Sequence, residues 1–474
     1  MGKSLLVYIV VLVLFALGLI LTLERGRHLQ RPFQPVTSSS SSTVKSPPQS
    51  PATLWSALDA NFHEPLSRLF LQLIAILIAT RLVGSLFVKL GQPAVVGEMF
   101  AGVFLGPSLL GLIFPNAYNL IFPIASLGTL KLLSQIGVCL FMFVVGMELN
   151  VAHLRHKAHT AVVVSHVSIL FPYFLGVALS LVLFSALAGP GVSFIAFALF
   201  MGISMSITAF PVLARILQER QLDKTQLGST AIACAAVDDV TAWSILACVV
   251  AIVRSTGLTS TVLSLGLVLV FVAVMLWIVR PRLPRWFAVD ALTAGTPGKG
   301  VIATVLVFTF LSALTTEVIG IHALFGAFLA GVVMPSNPEF RDYLKVRLEN
   351  FSSVFLLPLF FAFTGLRTEI GLINSAENWM LWLLITFIAT FGKLGGSMFA
   401  ARLTGMNWID SFSLGALMNT RGLMELIAIN IGYDLGILSP AIFAMLVLMA
   451  LVTTFMTGPL LTLAESFRKP SSSG

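Results

Sequence analysis

Two adjacent carboxylates, Asp238 and Asp239, lie inside a run of otherwise apolar or small residues from Gly228 to Ala251. The run is long enough to cross a bilayer as a helix, where each ionised side chain near the centre costs about 2.5 to 3.5 kcal/mol on insertion scales. Two together call for compensation, and a cation supplies it. A soluble core helix with one solvated end is the plainer reading, and the equally apolar runs nearby disfavour it.

Lys393 is a second charge set deep in an apolar run, ITFIATFGKLGG at 385–396, too far from either end to snorkel comfortably. It needs an anionic partner. Neighbours on a helix point about 100° apart, so the two aspartates cannot face one cation equally. That leaves one carboxylate, most naturally Asp238, for Lys393 and the other for an ion; a purely structural counter-ion is the alternative reading of the lysine.

Two further stretches break the pattern of a continuous helix. In the first, Pro211 removes a backbone donor while Ser206 and Thr208 offer hydroxyls and exposed carbonyls. In the second, Asn419, Thr420 and Gly422 tolerate unwinding, and Arg421 and Glu425 stand four apart on one face, placed to pair. An ordinary proline kink is the competing account of Pro211. Lys131 near a span end, a single His166, and Glu98 and Glu148 close to one interface read as structural as readily as functional.

The elements that must position these groups are membrane helices. Hydrophobic residues make up 57% of the chain, charged residues 10%, and the mean hydropathy is +0.97, so the solvent of this all-α chain is mostly lipid. The net charge of +8 is dispersed between apolar runs and marks topology, not a nucleic-acid surface. Cys139, Cys234 and Cys248 lie within apolar segments and lack metal-ligand spacing.

The first residues, 1–31, combine Lys3, an apolar stretch and Glu24, Arg25 and Arg27, as in a signal peptide or uncleaved anchor. A Ser/Pro-rich extracytoplasmic linker follows over 32–65. The transmembrane region runs over 66–463, and a short tail over 464–474. About thirteen spans are expected, at 66–88, 93–113, 126–149, 160–187, 192–218, 226–253, 258–279, 299–316, 317–334, 351–371, 379–403, 410–432 and 440–463.

If the residues before Leu66 lie outside, the connecting loops that fall inside carry Arg81, Lys89, Arg155, Lys157, Arg215, Arg220, Lys224, Arg280, Arg282, Arg285, Lys299, Arg341, Lys345, Arg347, Arg402, Arg468 and Lys469. Those outside carry Arg254 and Arg367. The excess places the C-terminus in the cytoplasm of a multi-pass protein, in a prokaryotic plasma or inner membrane or another energised membrane.

A weak internal repeat sets GEMFAGVFLGP at 97–107 beside HALFGAFLAGVVMP at 322–335, and FVVGME at 143–148 beside FTGLRTE at 363–369. The copies lie an odd number of spans apart, giving inverted repeats of about 93–253 and 317–463, each with one broken helix meeting the other near the midplane.

The segments SITAFPVLAR at 206–215, AAVDDVTAW at 235–243, GKLG at 392–395 and NTRGLME at 419–425 resemble the second branch of the monovalent cation/proton antiporters. That branch includes bacterial sodium/proton exchangers and potassium-efflux proteins, and the likeness runs from Leu66 to Leu463. The resemblance implies a homodimer, each protomer with a dimerisation domain and a mobile core. It further implies Asp239 as principal ligand for sodium and Asp238 in a salt bridge to Lys393. Potassium-efflux and plant relatives often carry Asn or Gln where this chain has Asp238; two acids with a lysine look like the electrogenic sodium type.

The expected activity is therefore exchange of Na⁺, or of Li⁺ or K⁺, for H⁺ by alternating access, without enzymatic chemistry or a cofactor. Cation and proton compete at the acidic pair, with Ser206 and Thr208 beside it and Asn419, Thr420, Arg421 and Glu425 supporting the broken helices. Potassium/proton exchange is the alternative. An intramembrane aspartyl protease needs its two acids facing each other from separate segments, and a channel gains nothing from a buried lysine opposite its acids.

Overall fold

A computed structural model describes residues 2–26, 61, 64–148, 158–222, 224–254, 258–286 and 299–468. These residues are helical almost throughout, and eleven helices are long and apolar enough to cross a membrane. The expected spans at 317–334 and 410–432 are the two that fail that length test. The first is the short helix Ala323–Val332, and the second is a pair of half-helices, Trp408–Met418 and Leu423–Asp434. A helix at Pro338–Phe351, capped by Asn337, precedes the tenth expected span; its polar, amphipathic sequence hid it from a hydropathy reading.

The N-terminal helix α1 (Gly2–Gly26) lies against the chain's interior, with Phe15 edge-on to Phe174 at 5.7 Å. Most of the Ser/Pro-rich linker, Arg155, Lys157 and the end of the tail fall outside the described residues.

Most of the remaining helices pack in two groups, and the helix Leu258–Ala273 touches both. One comprises α2 (Pro65–Lys89), α3 (Ala94–Leu105), α4 (Leu127–Glu148), then, after the second group begins, the helices Lys299–Ile319, Ala323–Val332 and Leu357–Leu366. The other comprises α5 (Ala158–Leu187), α6 (Phe194–Ser206), α7 (Phe210–Glu219), α8 (Gln226–Arg254), the helix Ala376–Leu403, the two half-helices at 408–434 and the last helix, Pro440–Arg468.

Small residues fix the first group. Gly102 lies against Phe361 and Gly365 against Gly102, while Gly146 lies against Phe328 and Gly331 against Phe143, so close that a Cβ at any of them would strike backbone. With no hydrophobic drive between helices in lipid, such backbone approach is what holds them. The two crossings are also reciprocal across the expected repeats: α3 packs on Leu357–Leu366, the counterpart of the end of α4, and α4 packs on Ala323–Val332, the counterpart of α3. That reciprocity is what an inverted repeat produces.

Candidate ion-binding site

The site forms where two interrupted helices cross inside the second group. Helix α6, started by Ser193 capping Ala196 N–H, ends at Ser206, and α7 resumes at Phe210 with Pro211 in its first turn. The other helix stops at Met418 and resumes at Leu423. Gly422 sits between with φ of +157°, and a Cβ there would press on Val212 and Ala209. Ala209 N–H donates to the Thr420 carbonyl at 2.9 Å, so each break satisfies the other's backbone.

Helix α8 presents both aspartates to this crossing, and both are buried. Their surroundings differ. Asp238 Oδ1 accepts from Ser165 Oγ at 2.7 Å and Ser168 Oγ at 2.9 Å; Oδ2 accepts from Thr208 Oγ1 at 2.6 Å and Lys393 Nζ at 2.8 Å. Lys393 also donates to the carbonyls of Ser168 at 2.9 Å and Ser206 at 2.5 Å. It stands in a wider, π-helical turn at Phe391–Gly395, a local irregularity common at functional positions. With its ammonium spread over a carboxylate and two carbonyls, this ion pair meets the condition for tolerating burial.

Asp239, about 100° further round the helix, faces a small cavity lined with Ile207, Ala242, Trp243, Leu246 and Met424. Both carboxylate oxygens are buried without a hydrogen-bond partner among the described residues. An isolated carboxylate in such a place costs several kcal/mol, so the group is stable there with a proton or with a cation beside it.

The expected helix-support residues gather at the same crossing. Arg421 donates to the carbonyls of Ser204 at 2.9 Å and Met205 at 2.7 Å, and pairs with Glu425 at 3.0 Å. The last three carbonyls of α6 therefore meet the side chains of Arg421 and Lys393, which neutralise the negative end of the half-helix. Thr420 lies 3.3 Å from Thr457, and Thr454 Oγ1 accepts from Arg421 N–H at 3.1 Å. The buried Asn419 amide has no hydrogen-bond partner among the described residues.

Ser206 contributes through its backbone. Its hydroxyl donates back to Ile203 O at 3.1 Å within α6, away from the carboxylates. Ser165 and Ser168, which sequence reasoning missed, hold Asp238; their spacing of three in an apolar helix was the available signal. The remaining polar residues stand apart from the crossing: Glu148 pairs with Lys345 at 2.6 Å, Lys131 with Asp434 at 3.0 Å, and His166 Nδ1 lies 2.8 Å from Val162 O in its own helix.

A wider cavity enters between the two helix groups at one face, lined in part by Glu148, Phe210, Gln218, Ile232, Arg341 and Lys345. Ile232 lies seven residues before Asp239 on α8, so one wall of this cavity and the buried acid share a helix about 10 Å apart along its axis.

The profile of a family described as sodium/hydrogen exchanger, transmembrane, matches residues 73–464. The chain is 42% identical over 392 residues to the Na(+)/H(+) antiporter NhaS4 of Synechocystis, covering 82% of this chain and 95% of that one. It is 34% identical to K(+)/H(+) antiporter 1 of Saccharomyces cerevisiae over 86% of this chain and 47% of that protein, and 40% identical to Cation/H(+) antiporter 17 of Arabidopsis thaliana. The chain spans about half the length of these yeast and plant relatives. The solved sodium proton antiporter MjNhaP1 of Methanocaldococcus jannaschii shares the fold, with a TM-score of 0.59 at 15% identity, over 84% of this chain and 99% of that one.

Proposed function

This chain belongs to the family of transmembrane sodium/hydrogen exchangers, and from that membership we propose that it exchanges Na⁺ for H⁺ across the membrane by alternating access at Asp239. One observation carries the reading: of two buried neighbouring carboxylates, Asp238 is fully hydrogen-bonded and Asp239 has no hydrogen-bond partner among the described residues. A carboxylate so placed holds either a proton or a cation. Both loaded forms are neutral enough to move, and the bare charge is not, which couples the two fluxes.

The Asp238 and Lys393 pair supports a second proton per cycle and hence electrogenic exchange, because cation arriving at Asp239 adds positive charge beside an ammonium. Sodium is favoured over potassium by the sodium antiporter relative, which matches along nearly its whole length, whereas the potassium antiporter relative matches along half. The lysine and arginine excess puts the Lys345 face in the cytoplasm. The broad apolar surface of α2, with Phe70, Ile74 and Leu82 exposed, suits lipid or the second copy of a homodimer.

Purified protein in liposomes with an imposed pH gradient and an internal pH dye tests this. Addition of Na⁺ is expected to drive proton flux that Asp239→Asn abolishes, and clamping the voltage is expected to change the rate. Flux driven by K⁺ alone would move the chain to potassium/proton exchange; no cation-driven flux in well-folded protein would end the antiporter reading.

A further inference from the structure

The face opposite the wide cavity carries a cluster that the ion site does not use. Helix α4 separates the two faces: Glu148 at one end borders the cavity, and Lys131, seventeen residues away, lies about 25 Å along the axis at the other. At that second end Lys131 Nζ is 3.0 Å from Asp434 Oδ1. Arg367, just after the helix Leu357–Leu366, donates to the same oxygen at 2.6 Å and to Asn430 Oδ1 at 3.1 Å. Asn430 in turn donates to Thr364 Oγ1 at 2.9 Å.

Every one of these contacts joins the two helix groups. Lys131, Thr364 and Arg367 belong to the group fixed by the glycine crossings. Asn430 and Asp434 stand four apart on the half-helix Leu423–Asp434, whose other end is the helix break beside the ion site. The guanidinium is further held over the rings of Phe363 at 4.2 Å and Tyr433 at 5.1 Å, one from each group. Arg367 and Asp434 remain only 16% and 24% exposed, so water shields them less than it would a surface pair.

We propose that Arg367, Lys131, Asp434 and Asn430 form a latch that closes this face while the opposite cavity is open, and that it must part for the ion site to reach this side. The proposal rests on the exchange reading above. The half-helix of twelve residues links latch to site directly, so movement of the helix crossing across the first group must draw Asp434 away from Arg367 and Lys131. By holding one of the two access states, the latch sets their ratio, and with it the apparent affinity for cation on each side.

Proteoliposomes carrying Asp434→Asn or Arg367→Gln test it, with half-saturating Na⁺ measured separately from the two sides. The expected result is a fall on the latch side and a rise on the cavity side, each roughly three- to tenfold, with Lys131→Gln moving the same way by less. Equal changes on both sides, or none, would overturn the latch.

A second readout needs no transport. Gln218→Cys, in a background with the exposed Cys248 replaced by Ala, is labelled through the cavity by an impermeant thiol reagent. Adding Asp434→Asn is expected to slow that labelling, and an unchanged rate also counts against the latch. Protein that shows no cation-driven proton flux but does show slowed labelling would retain the latch and fail the exchange reading.

Discussion

Asp238 and Asp239 are chemically identical and one residue apart, and their different partners predict separable effects. Asp239→Asn is expected to abolish cation-driven proton flux while leaving the melting temperature in detergent unchanged or higher, because it removes a buried carboxyl that has no hydrogen-bond partner among the described residues. Asp238→Ala strands the Lys393 ammonium among carbonyls and is expected to cost about 3 to 5 kcal/mol, read as a large fall in melting temperature. Ser168→Ala withdraws one hydroxyl from the same carboxylate, for about 1 to 3 kcal/mol. At this scale the acids and the lysine were legible in the sequence, since charge in an apolar run stands out. Ser165 and Ser168 were not, because serine is unremarkable in a membrane helix until a carboxylate is found against it.

At the scale of elements, the helix crossing and the glycine contacts carry the load in different ways. Arg421 spans two carbonyls of α6 with its two Nη atoms, a fork that a single ammonium cannot reproduce, so Arg421→Lys is expected to lower the transport rate at least tenfold without abolishing expression. Rate at saturating Na⁺ in proteoliposomes is the measurement. Gly331→Ala would drive a Cβ to 2.0 Å from Phe143 O and is expected to lower the melting temperature by an overpacking cost of about 1 to 3 kcal/mol or more. Gly128→Ala, with nothing within 4 Å, is the control and is expected to be neutral or stabilising. The breaks at 207–209 and 419–422 were visible in Pro211, Asn419 and Gly422. The role of Arg421 in spanning from one broken helix to the other was not, because the sequence offered Glu425 four residues on as its evident partner.

For the whole molecule, one carboxylate serving both ions predicts the pH dependence of exchange. On the proposed exchange at Asp239, protons compete with the cation there, so half-saturating Na⁺ is expected to rise as pH falls while the maximal rate holds, measured with equal pH on both sides and Na⁺ varied on one. A fall in maximal rate at constant half-saturation would indicate separate sites. The two helix groups carry a cavity on one face and ion pairs on the other, and under the latch proposal the opposite access state requires the groups to slide. Lys131 and Arg367 showed in the sequence only as charges near span ends; the residue both of them grip, Asp434, lies 303 and 67 positions further along the chain and meets them only through the packing of the two helix groups.

The sequence by itself determined the class of the molecule, the acids, the lysine and the two breaks, because lipid penalises every charge and every unpaired backbone group, and each exception must be marked by its residue type. The sequence paired Asp238 with Lys393, but tertiary structure alone decided how completely each carboxylate is met, one held by four side chains and the other without a hydrogen-bond partner among the described residues. That outcome depends on Ser165, Ser168, Thr208 and Lys393, drawn from three other helices, converging on one side of α8 and leaving the other side to a small apolar cavity. It also decided that Arg367 meets Asp434, since the two belong to different helix groups and only the packing of those groups brings them together.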